Sequence, residues 1–90
     1  MIKVNDIVNV AGSGVCVVQQ VPGPGTYGYT LGRLEGSRTI TFVPVAATHL
    51  ISPVTSDDVK RAINKNYEAI RFLQESNMHL VTYVDDNELF

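Results

Sequence analysis

The sequence predicts a mainly β domain: a small SH3- or Tudor-like β-barrel, then one amphipathic α-helix and a short strand-like tail. Three observations carry that expectation. Valine-rich runs of strand length alternate with glycine- and proline-dense turns as far as Val54. Four such runs crowd into about 50 residues, and closing a small sheet on itself removes its vulnerable edges. Beyond them, apolar residues recur at helical spacing.

The first two strands fall in DIVNVAG and GVCVVQQV, separated by Gly12-Ser13-Gly14, a tight turn that glycine makes sterically cheap. VPGPGTYG follows, and prolines at that density place a loop here rather than a strand interior. YTLGRLEGSRTITFVPV reads as two strands in a hairpin around Glu35-Gly36-Ser37. Ser56 is the expected N-cap of the helix, with Asp57 and Asp58 favoured by the positive helix terminus.

Along that helix Val59, Ala62, Ile63, Tyr67, Ile70 and Leu73 share one face, with Asp57–Arg61 and Arg71–Glu75 as i,i+4 pairs on the other. Two residues depart from the pattern. Asn66 sits in the middle of the apolar stripe, and Phe72 lies roughly opposite it. MHLVTYV (78–84) alternates like a further strand, able to join the barrel edge or a dimer seam, and DDNELF reads as an acidic tail. The expected division is a barrel over 1–54, a helix over 55–77 and a strand-like segment with tail over 78–90, all one domain.

Composition narrows the function. At 44% hydrophobic and 18% charged the chain is an ordinary globular protein, not a disordered one. A formal charge of −2 speaks against coating nucleic acid, which needs clustered Lys and Arg to displace counterions. No segment approaches the ~18 apolar residues of a membrane helix, and no basic stretch precedes an apolar signal. The lone Cys16 points to a reducing interior, so a cytoplasmic location is expected, with Cys16 as a strand core residue.

Chemistry is sparse. His49 and His79 have no ligand-spaced Cys or His nearby, so no metal is expected. GSG and GPGTYG lack the lysine and helix of a phosphate loop. Ser13, Ser37 and Thr55 have no evident base, and the Asp57–Asp58 and Asp85–Asp86 pairs read as helix-start and tail charges. With no catalytic constellation and no cofactor motif, the chain reads as a non-enzymatic binding module.

IKVNDIV, GSGVCVVQQV, YTLGRLEGSRTITFVPV and ISPVTSDDVKRAI, in that order, resemble the N-terminal domain of the CarD family. That Tudor-like module is shared with bacterial transcription-repair coupling factors. The matching positions are Lys3, Val4, Asp6, Val8, Gly14, Tyr29, Leu31, Arg33, Val43, Pro44, Pro53 and Val54, with Ser56, Asp57 and Asp58 at the helix start, spanning about residues 2–63. Asn5 stands where the family carries glycine, a change that a left-handed turn tolerates. The loop after Val21 and the Pro44–Pro53 connection are shorter than in the family. CarD proteins continue into a helical DNA-contacting domain, for which this chain offers only one helix and a tail; DNA contact is therefore not expected.

The resemblance implies binding to the β subunit of RNA polymerase through an exposed barrel strand, hence a transcription regulator or competitor. The family places a basic contact residue two positions before the proline of the fourth strand, and Phe42 occupies that position here. Alternation allows two registers. In one, Thr39, Thr41 and Val43 face the core while Ile40 and Phe42 face out; in the other, Ile40 and Phe42 are core. In the first register Ile40 and Phe42 are candidate partner contacts, joined by Arg33, Arg38 and Phe72. An alternative is a small-molecule or nucleotide binder, with Tyr27 and Tyr29 capping a ring and Arg33 and Arg38 taking phosphate. A second alternative is a KOW-like RNA- or ribosome-binding barrel, which suits the fold and not the charge.

Overall fold

A computed structural model describes residues 2–69 and 74–87. Five strands, β1 (Ile7–Val10), β2 (Gly14–Gln20), β3 (Gly28–Arg33), β4 (Ile40–Pro44) and β5 (Ile51–Pro53), form one antiparallel sheet in the order β4-β3-β2-β1-β5. A short 3-10 segment, Val45–Leu50, links β4 to β5. Two helices follow, α1 (Ser56–Ala69) and α2 (Gln74–Asn87).

The turns sit where the sequence places them. Gly12 and Gly14 both take φ +84°, so β1 reverses into β2 with Val10 opposite Gly14. Asn5 adopts φ +75°, closing a turn in which the Asp6 amide donates to the Lys3 carbonyl at 3.1 Å. Within 22–28, Gly23 bridges Thr26 around Gly25, and β3 begins directly afterwards.

The sheet is not closed into a barrel. Among the described residues β4 pairs only with β3, and β5 only with β1, so each leaves an edge. Both edge strands end in proline, Pro44 and Pro53, which supplies no N–H where a closing ladder would need one. β5 is itself an addition to the four strands expected from sequence. It is three residues long, too short to show a period of two.

Each face of the sheet is buried differently. Val8, Val10, Cys16, Val18, Leu31 and Val43 pack together on one face as the valine-rich cluster. On the opposite face Val15 and Leu34 meet Val59 and Ala62 of α1 and Leu80 of α2. The valine run of β2 is thus apolar on both sides because both sides are covered. Burial pushes the Cys16 thiol up to about 11, which keeps it a neutral core group rather than a nucleophile.

Helix α1 packs on the sheet, but its N-cap is Thr55 and not Ser56. The Thr55 hydroxyl accepts from the Asp58 amide at 3.1 Å, and the Asp58 carboxylate accepts from the Thr55 amide at 3.0 Å. This is the reciprocal box, shifted one residue because Asp58 stands three positions after Thr55. Its charge pair differs too: Arg61 binds Asp58 at 2.9 Å rather than Asp57.

Residues 78–84, expected as a strand, belong to α2. Their alternation is overridden by a spacing of three, in which Asn77 and Leu80 are buried and Tyr83 packs beside them. Tertiary contact with α1 selects the helical period. Phe72 and the Ile70 and Leu73 end of the predicted stripe lie outside the described residues.

Candidate protein-interaction surface

Strand β4 is where the two registers part. Val43 is 3% exposed, whereas Ile40 and Phe42 are 61% and 56% exposed. They lie on the helix-bearing face of the sheet, at an end where described residues of α1 and α2 do not cover them. The hydrophobicity-preferred register, with both side chains in the core, does not occur. The reason is local. Val43 belongs to the valine-rich cluster, and period two then sends Phe42 and Ile40 to the other face.

The backbone of β4 is equally directional. The Arg33 amide donates to the Thr39 carbonyl at 2.9 Å, and the Val45 amide donates to the Tyr27 carbonyl at 3.0 Å. In an antiparallel ladder hydrogen-bonded and non-hydrogen-bonded pairs alternate. Thr39, Thr41, Val43 and Val45 therefore turn their N–H and C=O groups toward β3. Ile40, Phe42 and Pro44, opposite Gly32, Thr30 and Gly28, turn theirs toward the open edge. Only Pro44 among these lacks a donor.

Glycines in β3 set the positions of the two apolar side chains. A Cβ on Gly28 would lie 2.6 Å from the tip of the Phe42 ring and 2.5 Å from the Val43 carbonyl oxygen. Phe42 thus rests on a glycine, and backbone contact leaves the neighbour no easy escape. Gly28→Ala is expected to cost about 1–3 kcal/mol, the range for overpacking, and to shift the Phe42 ring. Chemical denaturation and the aromatic shifts of Phe42 in an NMR spectrum check both. Beside Ile40, the Gln19 side chain covers Gly32 in the same way, and a shallow concavity runs from Ile40 past Val17 to His79 of α2.

The other site residues named from sequence are spread out. Arg33 donates from Nε to the Ser13 carbonyl at 3.0 Å and from Nη2 to the Glu35 carbonyl at 3.4 Å, bracing the loop that leads into β4. Arg38 is exposed on that loop, beside Ile40. Tyr27 is 81% exposed, whereas Tyr29 packs half-buried against the valine-rich cluster. Tyr29 and Arg33 stand four residues apart along β3, about 13 Å at the usual rise. Tyr27 and Tyr29 line none of the concavities beside Ile7, Ile40 and Pro53, whereas Arg33 and Arg38 both line the one beside Ile40. Phe72 lies outside the described residues. Among the described residues no group of three His, Cys, Asp or Glu side chains is gathered to hold a metal ion.

A polar assembly that no sequence motif announces fixes the 34–39 loop and hence the start of β4. Glu35 is buried, and its carboxylate accepts from the Val15 amide at 3.2 Å and from Arg61 at 2.9 and 3.1 Å, with Lys65 at 3.6 Å. Arg61 also reaches Asp58 and the Asn9 side chain. Burial alone would push the Glu35 carboxyl up, but the Arg61 and Val15 hydrogen bonds and the two cations hold it below its usual 4.5. Gly14 leaves room for it: a Cβ there would meet the Glu35 carboxylate at 2.7 Å.

No family model matches this chain, and neither a curated protein nor a solved structure gives a significant match.

Proposed function

We propose that this chain is a non-enzymatic protein-binding module that docks on the β subunit of RNA polymerase by adding a partner strand to β4, and so regulates or competes in transcription. The observation that carries the reading is the open β4 edge. It offers unpaired N–H and C=O groups at Ile40 and Phe42 beside two exposed apolar side chains. Strand addition draws affinity from main-chain hydrogen bonds and specificity from side chains of one parity, and β4 supplies both.

An SH3- or Tudor-like architecture fits the same reading. The strand order, with β5 returning to β1 and a 3-10 segment between β4 and β5, supports it, as does the order of motifs over residues 2–63. The partner is named from that resemblance. The apolar Phe42, where the CarD family that the sequence resembles carries a basic residue, calls for an apolar rather than acidic counterpart on the docked strand.

Tagged wild-type protein and Phe42→Asp, used as bait for purified polymerase and for its isolated β-subunit lobe, test this. The wild type is expected to retain polymerase and Phe42→Asp to lose at least tenfold in retention. Both should melt together, since exposed substitutions usually stay within about 0.5 kcal/mol. Failure of the wild type to bind polymerase from any bacterium tested would sink the proposal.

A further inference from the structure

We propose that the open edge of β4 also pairs with β4 of a second copy of this chain, forming a two-fold antiparallel seam centred on Thr41. The inference rests on the edge geometry alone, not on the polymerase reading.

The edge is self-complementary in one register. Ile40 and Phe42 are the residues with both a free-facing N–H and a free-facing C=O. With the two-fold axis at Thr41, Ile40 of one copy stands opposite Phe42 of the other, and the reverse pair is generated by symmetry. All four N–H groups and all four C=O groups are then used. Centring on Phe42 instead sets the Ile40 carbonyl against the Pro44 ring, which has no N–H to give. Centring on Ile40 carries the ladder to Arg38, beyond the start of β4, and leaves Phe42 facing a charge.

Side chains and charge agree with the Thr41 register. It stacks each exposed Ile40 on an exposed Phe42, and aromatic–β-branched cross-strand pairs are stabilising. From Thr39 to Thr48 no residue is charged, so the seam meets no like-charge repulsion. Monomeric proteins commonly blunt an edge with lysine or inward charge, and β4 carries neither. Its one blocking device, Pro44, falls just outside the four-bond ladder.

The seam is short. Five residues per copy fall well below the ~800 Å² per partner of a standard stable interface. Self-association is therefore weak and rises with concentration. A longer partner strand displaces it, and the pair masks the same edge in its absence.

Sedimentation equilibrium over rising concentration tests this with two complementary variants. Wild type should climb from the monomer mass of 9.9 kDa toward twice that value. Ile40→Glu alone and Phe42→Lys alone should each stay monomeric while melting like wild type. An equimolar mixture of the two should associate again, because the Thr41 register sets the introduced glutamate against the introduced lysine and keeps one Ile–Phe pair. Should either variant misfold, Thr41→Cys provides a second readout: mild oxidation should yield a covalent dimer, with the buried Cys16 inert as internal control. Wild type that stays monomeric at millimolar concentration, a mixture as monomeric as its components, or no Thr41→Cys cross-link overturns the proposal. Polymerase retention in the bait experiment would survive any of these results, so the two readings fail separately.

Discussion

Arg61→Met is expected to cost on the order of 3 kcal/mol of stability at neutral pH, because it strands the Glu35 carboxylate in the interior. Glu35 is 4% exposed and takes two hydrogen bonds from Arg61. Without them it keeps only the Val15 amide and Lys65 at 3.6 Å. Removing both members of such a pair is milder than removing one, so Arg61→Met with Glu35→Gln should be more stable than Arg61→Met alone.

The pH dependence follows with a definite sign. Glu35 has a folded pKa below 4.5, so the wild-type contribution is fully present above about 4.5 and disappears as pH falls through the folded value. Asp58 acts in the same direction: the Thr55 amide bond, outweighing partial burial, together with the Thr55 hydroxyl and Arg61 holds its carboxyl below 3.8. In Arg61→Met, Glu35 accepts a proton at higher pH, which relieves the stranded charge. The gap between wild type and variant should therefore be largest near pH 7 and shrink as pH falls from the raised Glu35 pKa of the variant toward the lowered one of the wild type. Urea unfolding at several pH values checks it, and a gap independent of pH would mean that Arg61 acts by packing alone.

Asn66→Leu is expected to cost about 3 kcal/mol, although leucine is the residue that an apolar stripe would favour at that position. Asn66 accepts from the Gly36 amide at 2.6 Å and donates to the Leu34 carbonyl at 2.6 Å and to the Asn77 side chain at 2.9 Å. Each buried polar group left without a partner costs about 1–3 kcal/mol, and this substitution leaves several. Asn66→Asp keeps the acceptor for Gly36 but sets a carboxylate against the Leu34 carbonyl. Its cost relative to wild type should fall at acid pH, when a protonated carboxyl donates again. Thermal melts of both variants would show it. A neutral Asn66→Leu would mean that the 34–39 loop is held by Glu35 and Arg33 without Asn66.

Both predictions concern one loop, and that loop decides how β4 enters the sheet. Arg33, Glu35 and Asn66 pin residues 34–39 from three sides, so Ile40 begins the strand with a defined parity. The candidate interaction surface is therefore sensitive to side chains that lie beneath it and touch no partner.

Local physics made much of this protein legible from sequence. Gly12 and Gly14 mark the β1–β2 turn because left-handed φ excludes most side chains, and Asn5 takes the positive φ that its amide tolerates. The β3–β4 hairpin, the loop over 22–28 and the start of α1 likewise depend on near neighbours in the chain. Asn66 stood out within an apolar stripe for a sound reason: a buried amide there must have partners, and it has three.

Tertiary structure decided the rest. Residues 78–84 satisfy both a period of two and a period of three, and packing of Asn77 and Leu80 against α1 and the sheet selects the helix. Strand β5 is too short to declare itself until β1 pairs with it. The orientation of Ile40 and Phe42 is invisible to periodicity, since either parity alternates perfectly. It was settled by which strand lies beside β4 and by the valine-rich cluster that claims Val43. Sequence alone specifies how each segment bends; only the assembled sheet specifies which side of a strand faces water.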